Sequence, residues 1–502
     1  MFRSNNVAAR VFERQILTPR PGTSVNAARQ FYENLCPSYT IYDIDCPDHS
    51  FRKFTDDGQY LVSFGQNHQD LIVYRPTWLS FSCKEEDCDS DNLPQKARRF
   101  DSFFSQLYCV SLASSNEFIC KDFFLYMESH KFGLFATSTA QSHEAPDSEG
   151  AIHGVPSIEK ITFYLVRLED GVVLDEKSFH NDFVNLAHSM GAFLYEDLLC
   201  IVSLRYQTIH ILQIRDSGNF VEVRNIGTFC REDDELFLHS HAQRVQHLKK
   251  KFYFHFQDYI DLIILKVQFL DRHHLLLKFG SVDGGVSRVS DQNLAFFAVY
   301  NMETTEIISF YQNSSEELYS LFEYYYDHFH ANSRSSLHEN FISSHSNNIH
   351  ALDQLWNIKT KASSFSQGKL LVMPSDTASA IYSMTSEGKL NEFVKKMMTS
   401  LPYTCQSQSP SPYFDLSLFR YDEKLISATD RHRHSTEHPI KFISRRQPNV
   451  LKFKIKPGPE TGGLDGRAKR ISSFLFHPFL PFALSIQQTY MHPTVVNIHF
   501  RG

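Results

Sequence analysis

The stretch that most constrains the fold is Leu198 to Phe229, LLCIVSLRYQTIHILQIRDSGNFVEVRNIGTF. It holds three apolar runs, Leu198–Ser203, Ile209–Ile214 and Val221–Ile226. Tyr206, Gln207 and Thr208 part the first two, and Asp216, Ser217, Gly218 and Asn219 part the last two. Strands of roughly six residues joined by Asp/Gly/Asn turns read as a β-meander. A lone meander leaves both sheet faces wet, so it must stack on copies of itself.

Copies are present. Ile161–Phe179 is an aromatic-rich strand, a turn at Asp170 and Gly171, then an alternating strand; Phe296–Phe310 repeats this around Asn301 to Thr304. A second unit also recurs: an aromatic, a polar tight turn, then an apolar run ending near Ser. It spans Phe54 to Ser63, Phe419 to Ser427 and Phe476 to Ser485. Degenerate strand units at roughly 40–50-residue spacing predict a mainly β chain folded as a WD40-like β-propeller of about seven or eight blades. Two stacked sandwiches would satisfy the same alternation. The high share of Phe and Tyr suits either, because large rings fill the space between sheets.

The expected body runs from Tyr39–Ile44, the first strand, to Val495–Phe500, the last. A propeller joins its two chain ends in one blade, so these two strands are expected in one sheet. Lys84–Arg99, Gln141–Pro156 and Glu232–Lys251 read as loops. A larger interruption, Ser314 to Pro412, reads as a helical insertion. Leu318, Leu321, Phe322, Tyr325 and Phe329 share one helix face there, and Leu390, Phe393, Val394, Met397 and Leu401 another. Ser333–Asn348, rich in Ser, Asn and His, is expected to be disordered.

Residues 1–38 differ in kind. Asn5 or Asn6 can cap a helix from Val7 to about Leu17, with Val7, Ala8, Val11, Phe12 and Ile16 on one face and Arg10 and Arg14 on another. Pro19 and Pro21 stop it. A second helix runs from Ser24 to Leu35, ending before Pro37. This helix-loop-helix either covers the body or docks to a partner; the pattern alone leaves both open.

Known catalytic patterns are missing. The sequence has no G-x-G-x-x-G, Walker A loop, H-E-x-x-H or G-x-S-x-G. Gly280 to Gly285 reads as a hairpin turn. Among the histidines, His239 and His241, His432 and His434, and His273 and His274 form pairs without further ligands at metal-binding spacing. His477, before Pro478, reads as a structural cap. The acidic run Glu232–Glu235 reads as solvated. No catalytic centre, cofactor or metal is therefore expected. The net charge of −7 argues against direct sequence-specific DNA binding. The nine cysteines include no C-x-x-C pair, which fits reduced thiols. No apolar run is long enough for a membrane helix.

Longer segments carry a resemblance. NVAARVFERQILTPRPG, FRKFTDDGQYLVSF, PSIEKITFYLVRLEDGVVLDE, KKKFYFHFQDYIDLIILKVQFLD and RISSFLFHPFLPFALSIQ resemble the De-etiolated 1 family of plant type, from Asn6 to Phe500. The segment after Glu235 is shorter than the family pattern, and Gly368–Asn391 departs from it. The resemblance implies a nuclear, non-catalytic repressor of light-driven development. It implies binding to the damaged-DNA-binding adaptor of a cullin-RING ubiquitin ligase, beside a small adaptor-associated accessory protein and a ubiquitin-conjugating-enzyme variant of the constitutive-photomorphogenic group. It also implies links to the histone H2B tail and to transcription factors. An alternative is a histone-tail reader acting apart from ubiquitination, with Asp233–Glu235 supplying the charge. For the adaptor, Val7, Val11, Phe12 and Ile16 are the implied apolar ridge and Arg10 and Arg14 the rim charges. Phe31 and Leu35 are expected to seat the second helix on the body.

Overall fold

The protein is described by a computed structural model. The structure describes residues 32–77, 99–114, 116–142, 151, 155–187, 190–227, 262–281, 296–304, 306–312, 318, 411–414, 418–422, 425, 439–456, 471–489 and 492–501. Among these, 25 strands form six antiparallel sheets. The segments 84–98 and 232–251 lie outside them, as do the insertion's helices apart from Leu318, which is helical and fully buried.

The sheet that holds both chain ends is the first to consider. Strand β1 (Tyr39–Ile44) pairs with the chain's last strand, β25 (His492–Phe500), from Tyr39 opposite Phe500 to Ile44 opposite Val496. The sheet continues through β24 (Ala483–Thr489) to β23 (Ile471–Phe476). The expected union of the two ends is therefore observed.

The second sheet runs β2 (Ser50–Phe54), β3 (Leu61–Phe64), β4 (Asp70–Pro76), β5 (Phe104–Ser111). The third is built on β8 (Phe132–Ser138), β10 (Ser157–Arg167) and β11 (Val173–Asp182). Short strands β6 (Phe118–Ile119) and β7 (Leu125–Met127) pair with β8, and β9 (Gln141–Ser142) pairs with β10. The start of the expected 141–156 loop is thus strand, because it extends the hairpin between β8 and β10.

The fourth sheet contains the meander: β13 (Leu198–Ser203), β14 (Thr208–Ile214) and β15 (Phe220–Ile226). It also has a fourth strand, β12 (Ala192–Tyr195), that the pattern hid. Only Glu196 and Asp197 separate β12 from β13, with Glu196 at φ +52, so two apolar strands read as one run. The fifth sheet is β16 (Leu262–Phe269), β17 (His274–Ser281), β18 (Phe296–Asn301), β19 (Glu306–Gln312). The sixth is β20 (Phe419–Arg420), β21 (Ile440–Ser444), β22 (Leu451–Ile455).

Each described apolar core lies between two neighbouring sheets. One joins the end-joining sheet to the second through Phe54, Phe104 and Phe482. Phe64 and Phe135 join the second to the third, Phe163 and Leu199 the third to the fourth, and Ile209 and Phe269 the fourth to the fifth. Phe442 and Phe476 join the sixth to the end-joining sheet. Each such buried side chain contributes roughly 1.5–3 kcal/mol.

Polar ties then fix how the sheets sit. His477 is buried in the turn between β23 and β24, and its Nδ1 accepts from the backbone N–H of Phe479 and Leu480, both at 3.1 Å. The ring proton is left on Nε2, which donates to the Gly58 carbonyl in the second sheet at 3.1 Å. Tyr126 of β7 donates to Asp57 at 2.8 Å, tying the third sheet to the second. Ser203 of β13 donates to buried Asp182 of β11 at 2.7 Å. Gln207 accepts from the Ile264 N–H at 2.6 Å, tying the fourth sheet to the fifth. Such bonds net only about 1 kcal/mol each, so the cores hold the sheets together and the ties set register.

Within the end-joining sheet, His499 bridges Thr40 Oγ1 at 2.9 Å and Ser485 Oγ at 3.0 Å. Asn497 donates to Ser485 at 3.2 Å and accepts from the Asp43 N–H at 3.0 Å. The recurrent Ser of the sequence unit thus has a role. Ser63 and Ser485 sit on the second strand of their hairpins, fully buried, where each binds across to the next strand.

Two predictions follow from these ties. Gly58 has φ +69, and a Cβ there would meet His477 Cε1 at 2.5 Å. Gly58→Ala is expected to cost about 2–4 kcal/mol, read as a lower urea midpoint; an unchanged midpoint would refute this packing. Burial also pulls His477 down to about 3 and His499 to about 4. Unfolded histidine takes up its proton near pH 6.5, while these two refuse it when folded. Stability should be complete above about pH 7 and fall below pH 6.5, by up to about 1.4 kcal/mol per pH unit for each ring. Urea titrations at pH 7.5, 6.5 and 5.5 measure it, and His499→Gln should flatten the slope.

Candidate functional site

The expected second helix ends among the described residues, with Tyr32 to Asn34 helical and Pro37 following the turn. Its last turn is seated on the sixth and end-joining sheets. Tyr32 and Leu35 are buried, and Tyr32 meets Tyr413 edge-on at 6.1 Å between centroids. The Tyr413 hydroxyl donates to the Leu35 carbonyl. Burial holds that phenol well above its ordinary pKa, so it remains a donor. Arg501 donates to the Asn34 carbonyl at 2.9 Å, and the Ser38 N–H donates to the Phe500 carbonyl at 3.0 Å.

Glu33 completes the seat. Its carboxylate is buried, accepts from the Ser444 hydroxyl at 2.8 Å and pairs with Arg446 Nε at 3.2 Å. No apolar pattern marks an acid as buried, so sequence reading missed it. Leu35 is seated as expected, whereas Phe31 lies outside the described residues. So do Val7, Arg10, Val11, Phe12, Arg14 and Ile16.

A groove of about 670 Å³ opens beside the seat. One wall is β22 and the residue after it, with Lys452, Lys454 and Lys456; the other is the strap at Cys36 and Ser38 leading into Tyr39, Thr40 and Tyr42 of β1. Arg501 lies at the same groove. None of its described lining residues is acidic. Burial pushes the Cys36 thiol up to about 11, although Lys452 and Arg501 pull it the other way. Cys36 is therefore a thiol at neutral pH and a poor nucleophile. A basic histone tail would find no complementary charge here, and Asp233–Glu235 lie outside the described residues.

The remaining candidates are structural. His274 binds Asp271 at 2.8 Å and His273 binds Glu303 at 3.0 Å, both at strand turns of the fifth sheet. His477 is a buried cap, as its turn suggested. The pairs at His239 and His432 lie outside the described residues. Among the described residues, no three His, Cys, Asp or Glu side chains are grouped to hold a metal ion.

Glu33→Ala should strand Ser444 and Arg446 and cost about 1–3 kcal/mol, whereas Arg446→Ala, half exposed, should cost under about 1 kcal/mol. Hydrogen exchange of residues 32–40 should quicken strongly in the first variant and little in the second. The reverse order would show that the exposed arginine, not the buried acid, holds the seat.

The De-etiolated protein 1 (Det1) family model matches residues 121–247 and 239–502. The chain is 66% identical to light-mediated development protein DET1 of Solanum lycopersicum and 58% identical to that of Arabidopsis thaliana, with each alignment covering all of both proteins. The alignments, at 547 and 568 positions, are longer than this chain, so each relative carries positions that it skips. The solved exo-beta-1,3-galactanase of Phanerochaete chrysosporium overlaps 56% of each chain at 8% identity and a TM-score of 0.22, too slight a likeness to inform the reading. On the family match and the two full-length relatives, the chain belongs to the De-etiolated protein 1 family.

Proposed function

We propose that this chain is a nuclear repressor of light-driven development that acts as a non-catalytic, substrate-receptor-like scaffold of a cullin-RING ubiquitin ligase assembly. Both relatives are named for light-mediated development. Residues 1–38 form the docking motif for the ligase's damaged-DNA-binding adaptor. A small adaptor-associated accessory protein and a ubiquitin-conjugating-enzyme variant of the constitutive-photomorphogenic group join the assembly. The body is a WD40-like propeller of about seven or eight blades. The six described antiparallel sheets, with both chain ends paired in one of them, support that reading.

The observation that carries this reading is the seat of Tyr32 to Ser38. A docking helix transmits force and direction only if its base is fixed, and Glu33, Leu35 and Asn34 are bonded to three separate parts of the body. The ridge of Val7, Val11, Phe12 and Ile16 precedes that fixed point, with Arg10 and Arg14 as rim charges.

Phe12→Asp should reduce co-purification with the adaptor by about 30-fold or more, the effect of losing roughly 2 kcal/mol at an interface hot spot. Its melting temperature should match the parent chain. Retained adaptor binding would sink the docking assignment.

A further inference from the structure

The geometry points to the groove between β1 and β22 as a docking site for an acidic peptide in extended conformation, with carboxylates at alternate positions. This goes beyond the ligase reading, since it needs neither the adaptor nor the segment before Tyr32.

Three observations carry it. The first is charge. A chain of net charge −7 gathers Lys452, Lys454, Lys456 and Arg501 at one groove with no acid among its described lining residues. The second is spacing. Residues two apart on a strand share a face. Phe453 and Ile455 turn into the core, so Lys452, Lys454 and Lys456 take the opposite side. Their repeat matches every second residue of an extended ligand. The third is cross-strand placement. Lys454 stands directly opposite Lys441 in β21, so a further positive side chain lies beside the row on the same sheet.

The edges suit a peptide better than a nucleic acid. Among the described residues, β22 ends its sheet and β1 ends the other, so both groove walls are terminal strands that can pair with an added one. Exposed Leu451 and Tyr39 flank the lysines and offer apolar surface to the intervening side chains. Phosphate contacts alone would use none of this, and the overall negative charge opposes a polyanion longer than the groove.

The test uses the full-length chain and fluorescence anisotropy. A labelled peptide of four Glu-Thr repeats is expected to bind with an affinity that falls as salt rises. A peptide of the same composition with the four Glu in one block should bind at least fivefold more weakly. The double variant Lys452→Glu, Lys454→Glu should weaken binding at least tenfold, and the milder Lys452→Gln, Lys454→Gln at least threefold, with unchanged melting temperature and unchanged adaptor co-purification. Absent or salt-insensitive peptide binding would overturn the proposal. Equal binding of the blocked peptide would overturn the extended pose. Tighter binding of an eight-nucleotide oligothymidylate would assign the groove to nucleic acid instead. Loss of the adaptor by the charge variants would make it part of the adaptor interface.

Discussion

The pairing of β1 with β25 is the constraint on which the rest depends. The end-joining, second, third and fourth sheets each have a described core on both sides, and each described core is shared by two neighbouring sheets. The end-joining sheet has cores on both faces, one shared with the second sheet and one with the sixth. Remove β1, and β25 becomes a bare edge able to recruit another chain. The Thr40, Ser485, Asn497 and His499 network makes that pairing specific, because a slipped register would bury its polar atoms without partners.

Apolar burial and polar ties divide the work. Rings such as Phe54, Phe135 and Phe442 are interchangeable in chemistry and set no unique angle between sheets. The bonds from His477 to Gly58, Ser203 to Asp182 and Gln207 to Ile264 do set one. Asp182 shows the cost of this choice: burial raises its pKa, and the Ser203 hydroxyl and Phe183 N–H offset only part of that rise. Such groups are tolerated because each leaves fewer ways to assemble the same apolar faces.

Much of the architecture was legible because turns punctuate it. Leu198–Ser203 matches β13 residue for residue, and Gly171 at φ +77 makes the turn that Asp170 and Gly171 announced. Two copies of the sequence unit that ends in Ser, Phe54 to Ser63 and Phe476 to Ser485, are the opening hairpins of the second and end-joining sheets, since a buried serine must find a partner and so leaves a mark among apolar neighbours. The third, Phe419 to Ser427, does not repeat this, because Phe419 and Arg420 pair with β21 instead. Strand β12 was hidden because its turn, Glu196 and Asp197, carries neither Gly nor Asn. The groove was hidden for a different reason. Lys452 and Arg501 belong to different sheets, and only the packing of the sixth sheet on the end-joining one brings them to one groove. Glu33 shows the same limit: its partners Ser444 and Arg446 are about four hundred residues away.

The seat of the N-terminal segment also has an order in time. Its first half, Tyr32 to Ser38, is made early in synthesis. Every group that holds it, from Tyr413 through Ser444 and Arg446 to Arg501, is made near the end. A polypeptide that stops before Tyr413 has none of these holding groups, and one that stops before β25 still lacks the bonds from Arg501 and to Phe500. Nearly complete translation thus becomes a condition for holding Tyr32 to Ser38 in one orientation.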